Sequence, residues 1–70
     1  MNMQKIGKFI LQLRQEKNLS QSDLANLIPV TRQAVSRWEK GQSIPDSSTL
    51  LIISKIFDVS INELLNGERF

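Results

Sequence analysis

The segment from Leu19 to Gly41 places helix start and stop signals so close together that only two short helices fit within it. Ser20, followed three residues later by Asp23, resembles the capping box that begins a helix. Pro29 lacks a backbone N–H and disfavours a helical residue before it, so the first helix should end near Leu27. Its apolar face is predicted to comprise Leu24, Ala25, Leu27 and Ile28. The segment therefore predicts two short helices joined by a tight turn.

The second helix of this segment, residues 32–40, separates its side chains onto two faces. Thr31 is its predicted N-cap and Gly41 its predicted stop. At about 100° per residue, five polar side chains share an arc of about 140°. They are Arg32, Gln33, Ser36, Arg37 and Lys40. Ala34, Val35 and Trp38 project from the opposite side, so one face suits a core and the other suits phosphates and base edges.

One helix is predicted before this segment and two after it. Apolar residues at 6, 9, 10 and 13 predict a helix over 5–17 that closes at Asn18, a residue that tolerates the left-handed conformation. Asp46 or Ser47 begins a helix to residue 57 that is apolar nearly all round. Ser60 and Glu63 form a capping box for a last helix. The predicted helices are 5–17, 21–28, 32–40, 47–57 and 61–66, and no segment has strand-like alternation, so the expected fold class is all-α.

The length and composition exclude several classes of protein. Seventy residues make at most one domain, here 1–70. The chain has no cysteine, histidine or tyrosine, and no carboxylate pair with an acid/base context, so we expect no enzyme, no metal site and no cofactor. The longest apolar run, residues 50–53, is far shorter than the ~20 residues that span a bilayer. The N-terminus lacks the apolar segment typical of a signal peptide. A cytoplasmic location is the default expectation.

The charges are distributed unevenly along the chain. Residues 1–40 hold seven cations and three acids, whereas residues 41–70 hold two cations and four acids. An acidic partner would be steered towards the N-terminal part. The alternative is that so few charges are sorted this way by chance.

Four motifs at matching spacings resemble those of a known family: SQSDLA, RQAVSRWEKG, IPD and SINELL. They are similar to the lambda-repressor and Cro-like helix-turn-helix family, often called the xenobiotic-response-element family, from about Ile6 to Gly67. The resemblance implies a compact five-helix domain that binds double-stranded DNA sequence-specifically through the major groove. It further implies a homodimer on a palindromic operator, control of transcription with repression as the expected mode, and a place on the nucleoid of a bacterial or phage-infected cell.

The resemblance also assigns the DNA-contacting residues. Base edges would be contacted by Thr31, Arg32, Gln33 and Arg37. Arg32 suits the O6 and N7 atoms of guanine and Gln33 the N6 and N7 atoms of adenine, whereas Arg37 suits a base or a phosphate. Phosphates would be contacted by Gln21, Ser36, Lys40, Gln42, Ser43 and Arg14.

Other motif residues are interpreted as structural. Related proteins pair the positions of Arg14 and Glu39 in a partly buried salt bridge, which we expect to orient Arg14 more than to stabilise the fold. Ala25 lies where the second and third helices would cross. Val35 and Trp38 belong to the core face. The alternative for Trp38, stacking on a base, conflicts with its position opposite the polar arc.

The chain departs from the family pattern at Pro29. The family usually has a glycine with positive φ there, which a proline ring cannot adopt. We therefore expect the turn to be made by an earlier end of the second helix and an extended Ile28. Such a turn changes the angle between the two helices and the pairing of residues with bases.

Two questions stay open at the level of sequence. A self-complementary patch of Ile52, Ile61, Leu65 and Phe70 predicts a dimer, but a fully buried fourth helix with a frayed tail is the simpler alternative. The same fold also serves to dock another protein, and an antitoxin-like chain combines docking with DNA binding. An acidic third helix would favour docking, and this helix is basic.

Overall fold

The computed structural model describes residues 2–70, and those residues form five helices. They are α1 (Met3–Glu16), α2 (Gln21–Leu27), α3 (Arg32–Glu39), α4 (Ser47–Phe57) and α5 (Ile61–Asn66). The predicted all-α class is confirmed. α1 packs against α3 and α5, α2 packs against α3, and α4 packs against α5. Within residues 2–70 no helix has the length and apolar character needed to cross a bilayer.

Local capping interactions set where the helices begin. Ser20 and Ser60 each form a complete capping box, with Asp23 and Glu63 as the respective partners at 2.9–3.0 Å. Of the two candidates for α4, Asp46 is the cap: its Oδ1 accepts the N–H of Thr49 at 2.9 Å. α1 begins at Met3 rather than at residue 5, because the side chain of Asn2 accepts the N–H of Lys5 at 3.0 Å. The apolar periodicity of α1 begins at Ile6 and gives no indication of this cap, so the predicted start at residue 5 is too late.

The turn between α2 and α3 differs from the one expected from Pro29. α2 ends at Leu27, as predicted, but Ile28 has helical dihedral angles of φ −73° and ψ −45° rather than extended ones. Its N–H still donates to the carbonyl of Leu24 at 3.2 Å and its side chain is buried, so the backbone stays helical. The N–H of Val30 then donates to the carbonyl of Ala25 at 2.8 Å and closes the turn. The Ile28–Pro29 peptide bond is cis, and no residue from 28 to 31 has positive φ.

A single hydrophobic cluster holds the helices together. Its buried members include Ile6, Phe9, Ile10, Leu13, Leu24, Ala25, Ile28, Val35, Trp38, Leu50, Ile53, Phe57 and Leu64. The prediction that Leu27 belongs to the apolar face of α2 is wrong, because Leu27 is 55% exposed while Leu24, Ala25 and Ile28 are buried. At about 100° per residue, Leu27 lies roughly 100° from the middle of the arc that those three residues share. α4 is not fully buried either, since Leu51 is 45% exposed.

The last residues of the chain lie against α1. The guanidinium of Arg69 donates to both carboxylate oxygens of Glu16 and lies 6.0 Å from the centre of the Phe9 ring. The hydrogen bond from Arg69 lowers the pKa of Glu16 to about 2. The N–H of Phe70 donates to Glu63 at 3.0 Å. The frayed tail considered from the sequence is therefore wrong. Helical periodicity does not show which distant charges meet, and in the fold Arg69 pairs with Glu16 of α1.

Gly7 permits a close approach between α1 and α3. It is buried in α1, and a Cβ at this position would overlap the backbone carbonyl oxygen of Trp38 in α3. A backbone carbonyl has no alternative rotamer, so any side chain here must separate the two helices.

We expect Gly7→Ala to lower the free energy of unfolding by about 1–3 kcal/mol, the usual range for overpacking a core. Urea unfolding followed by circular dichroism measures the change. Lys8→Ala is the control, because the neighbouring side chain is exposed and should change stability by no more than ~0.5 kcal/mol. Equal stability of Gly7→Ala and wild type would contradict the close approach.

Candidate nucleic-acid interface

The polar face of α3 forms one side of a shallow hollow. The hollow has a volume of about 210 Å³ and is lined by Arg32, Gln33, Ser36, Arg37, Lys40 and Gln42. All are exposed except Ser36, which is half-buried. The fold thus brings together four of the predicted α3 residues with Lys40 and Gln42 in the same concavity.

The other face of α3 is held in the core, which sets the rotation of the helix. Val35 is fully buried and Trp38 is 5% exposed. Trp38 therefore has no ring face free for a base, and Ala25 is buried on α2, the helix that packs beside α3. With one face buried in this way, the polar face of α3 points to solvent as a unit.

Thr31 and Ser43 do not line the hollow, but each is adjacent in the chain to a residue that does, Arg32 and Gln42 respectively. The Oγ1 of Thr31 accepts the N–H of Ala34 at 3.1 Å and caps α3, which leaves its hydroxyl hydrogen free to donate. Ser43 is half-buried in the loop after α3 and does not line the hollow. Thr31 is thus placed beside the first turn of α3, where Arg32 and Gln33 lie.

Glu39, the last residue of α3, binds side chains from two other helices. Its Oε2 accepts the Nε of Arg14 at 2.7 Å, and its Oε1 accepts Arg14 Nη2 at 3.1 Å and Gln21 Nε2 at 2.8 Å. The side chains of Arg14 and Glu39 are only 13% and 6% exposed. The hydrogen bonds that Arg14 donates to Glu39 raise the pKa of the Arg14 guanidinium. We call Arg14, Glu39 and Gln21 the buried network.

The buried network changes what is expected of two predicted phosphate contacts. Arg14 also donates Nη1 to the carbonyl of Leu19 at 2.8 Å, so each of its three nitrogens has a partner inside the protein. Arg14 therefore belongs to the buried network, and its 13% exposed side chain is held away from the role of a phosphate contact. Gln21 is half-buried, and its carbonyl oxygen and second amide hydrogen are not used by Glu39.

A second hollow extends the polar surface onto α1, and sequence reasoning missed it. It has a volume of about 320 Å³ and is lined by Gln4, Lys8, Glu39 and Lys40. Lys40 lines both hollows, so the cationic surface continues from α3 to Lys8. The i, i+4 spacing of Gln4 and Lys8 on the polar side of α1 was the available signal.

The two hollows together form a cationic surface. Arg32, Arg37, Lys40 and Lys8 are exposed, and the acid among them, Glu39, is already paired with Arg14. Such a surface can donate hydrogen bonds to anionic oxygens and to base edges.

The residues predicted to form a dimer patch are only partly brought together. Ile61 and Leu65 line an apolar groove of about 610 Å³ with Ile44, Pro45 and Leu50. Ile52 is half-buried on α4 and does not line the groove. Phe70, 78% exposed, lies in the tail instead. The groove therefore lies between α5 on one side and, on the other, the loop that precedes α4 together with the first turn of α4.

Comparison with known proteins gives consistent matches. A family model described as helix-turn-helix matches residues 10–64. The HTH-type transcriptional activator BcrR of Enterococcus faecalis is 51% identical over 58 residues, which are 83% of this chain and 28% of BcrR. Repressor protein C2 of Salmonella phage P22 is 32% identical over 68 residues, which are 97% of this chain and 32% of that protein. The chain therefore spans about a third or less of these curated relatives.

Solved structures match over nearly the whole chain. The restriction-modification controller protein C.AhdI from Aeromonas hydrophila superposes with a TM-score of 0.79 and 32% identity, covering 89% of this chain and 94% of that one. The DNA-binding domain of the P22 C2 repressor superposes with a TM-score of 0.82 and 33% identity, covering 96% of this chain and 88% of that one. The chain belongs to the lambda-repressor-like helix-turn-helix family, also called the xenobiotic-response-element family.

Proposed function

We propose that this chain is the sequence-specific, double-stranded DNA-binding part of a transcriptional regulator and that it inserts α3 into the major groove. The observation that carries the proposal is the solvent face of α3, which lines one hollow together with the residues that follow it, while the other face of α3 is buried. Three cations and two amides line that hollow. The relatives named as transcriptional regulators and the solved C2 DNA-binding domain support the same function. A helix of this kind enters the groove with its N-terminal residues at the base edges.

Base recognition falls to the first turn of α3. Arg32 and Gln33 are exposed there and can each form two hydrogen bonds with one base, Arg32 with guanine and Gln33 with adenine. Each such pair discriminates between bases by about 1–3 kcal/mol. Thr31 has one hydroxyl hydrogen to donate, and Arg37, one turn further along, is placed for a base or a phosphate.

Phosphate contacts surround the base-contacting residues. The residues assigned to phosphates are Gln21, Ser36, Lys40, Gln42 and Ser43. We add Lys8, because it lines the hollow that Lys40 shares with α3. These contacts give affinity and orientation rather than sequence preference.

A protein-docking module is the rival function. Protein interfaces are usually enriched in aromatic side chains and depleted in lysine, whereas the lining of the α3 hollow includes Lys40 and no aromatic side chain. An antitoxin-like chain would use the same α3 on DNA and would differ in what covers the apolar groove. A transcriptional regulator and an antitoxin-like chain would thus both bind DNA through α3.

We further propose that the chain acts as a homodimer on a palindromic operator. Two recognition helices must lie about 34 Å apart to enter successive major grooves on one side of the duplex. The apolar groove with Ile61 and Leu65 is the surface we assign to the contact, since it exposes apolar side chains away from the α3 hollow. Repression is the mode we assign, because occupancy alone blocks DNA from other proteins. A cytoplasmic, nucleoid-associated location follows from binding DNA.

The first prediction concerns base readout. Selection of duplexes from a random library should recover a palindrome, and Arg32→Ala and Gln33→Ala should each relax the preference at one position per half-site. The expected loss at that position is about 1–3 kcal/mol of discrimination. Binding with no sequence preference would contradict readout by α3, and no binding would favour protein docking.

The second prediction concerns Lys8. If its ammonium contacts a phosphate, Lys8→Ala should reduce the slope of log K against log salt by ~0.9 and weaken all duplexes alike. Lys55→Ala is the control, because Lys55 is exposed on α4 and lines neither hollow. Equal slopes for Lys8→Ala and Lys55→Ala would remove Lys8 from the interface.

The third prediction concerns the dimer. Ile61→Glu should convert a dimer into a monomer in sedimentation equilibrium, because a carboxylate in an apolar contact is costly to bury. Leu51→Glu is the matched control, since Leu51 is also an exposed aliphatic residue, 45% against 36% for Ile61, but does not line the groove. A monomeric wild type that binds one copy per operator would contradict the dimer.

A further inference from the structure

The carboxylate of Glu39 joins three helices near the cationic surface. Arg14 in α1 occupies both of its oxygens, and Gln21, the first residue of α2, donates to Oε1 at 2.8 Å. Glu39 itself ends α3, the helix that carries Arg32 and Gln33. The carboxylate therefore fixes the start of α2 relative to α3 through a side chain rather than through the backbone alone.

Burial makes this arrangement stiff. The Glu39 side chain is 6% exposed and the Arg14 side chain 13% exposed, so water competes little for the three hydrogen bonds. Two parallel bonds from Arg14 hold the carboxylate in one plane. The oxygen that Gln21 meets is thus in place before any ligand arrives.

The chemistry of the carboxylate also sets which way the Gln21 amide faces. An ionised carboxylate only accepts hydrogen bonds, so Gln21 must turn its NH₂ group towards Glu39. Its second amide hydrogen remains for an outside acceptor, and a phosphate oxygen is such an acceptor. A free glutamine side chain would lose rotamer freedom on binding, whereas Gln21 has already lost much of it on folding.

We propose that Glu39 is a positioning residue for DNA binding, which holds the Gln21 amide so that it donates to a backbone phosphate. This inference rests on the proposed function, since it presumes that the chain binds duplex DNA. Glu39 touches no DNA in this proposal and acts through Gln21 alone. A role confined to the Arg14 salt bridge would stabilise the fold without depending on Gln21.

A double-mutant cycle on DNA affinity separates the two roles. Affinity for the duplex recovered by selection is measured for wild type, Glu39→Gln, Gln21→Ala and the double variant. Gln21→Ala should weaken binding about tenfold, the loss expected for one hydrogen bond to a charged group. Glu39→Gln should weaken it about fivefold alone, because an amide at 39 can accept from or donate to Gln21 and no longer fixes its orientation.

The decisive comparison is made in the Gln21→Ala background. There Glu39→Gln should change affinity by less than about twofold, since the group it positions is gone. The same factor in both backgrounds would overturn the inference and leave Glu39 a purely structural residue. The loss should also be equal on a duplex of unrelated sequence, because a phosphate contact carries no base preference.

A replacement of the whole pair covers the case in which Glu39→Gln does not fold. Exchanging a buried ion pair for apolar residues of similar size is often neutral for stability, so Arg14→Met with Glu39→Leu keeps a folded chain. Its loss of affinity should likewise vanish when Gln21→Ala is added, and persistence of the loss would overturn the inference. A wild type that fails to bind any duplex would instead overturn the proposed function.

Discussion

The contact between α1 and α3 is the constraint on which the rest of the structure depends. A glycine at position 7 lets the backbone of α1 reach the carbonyl of Trp38. The same approach buries Val35 and Trp38 beneath α1 and α2. In a chain of seventy residues, a small core must perform several tasks at once. This contact both supplies buried apolar area and fixes the rotation of the helix whose outer face is polar.

The electrostatics follow from that geometry. Once α3 lies against α1, its last residue, Glu39, is brought to Arg14 in an environment where neither charge is well solvated. Breaking such a pair is costly because one charge is left without a partner. The pair also neutralises Glu39, the acid that lines one hollow together with Lys8 and Lys40. Packing and charge thus favour the same face for an anionic partner.

The α3 hollow and the apolar groove differ in chemical character. The α3 side carries side chains that donate hydrogen bonds, whereas the groove between α5 and the start of α4 exposes Ile61 and Leu65. The two surfaces have no lining residue in common. The tail, held to Glu16 by Arg69, lies against α1 and belongs to neither surface.

Local sequence determined the helices and much of the α3 surface. Capping pairs such as Ser20 with Asp23 and Ser60 with Glu63 lie three residues apart, and helical periodicity compares neighbours on one turn, so both are visible in the sequence. The helical angles of Ile28 and the exposure of Leu27 were not visible, since both depend on how α2 meets the core. The bond between Gln21 and Glu39 spans 18 residues and that between Glu16 and Arg69 spans 53. Only the tertiary structure decided those pairs and the place of Lys8, because which distant side chains meet is set by the packing of α1 on α3 and not by the spacing along the chain.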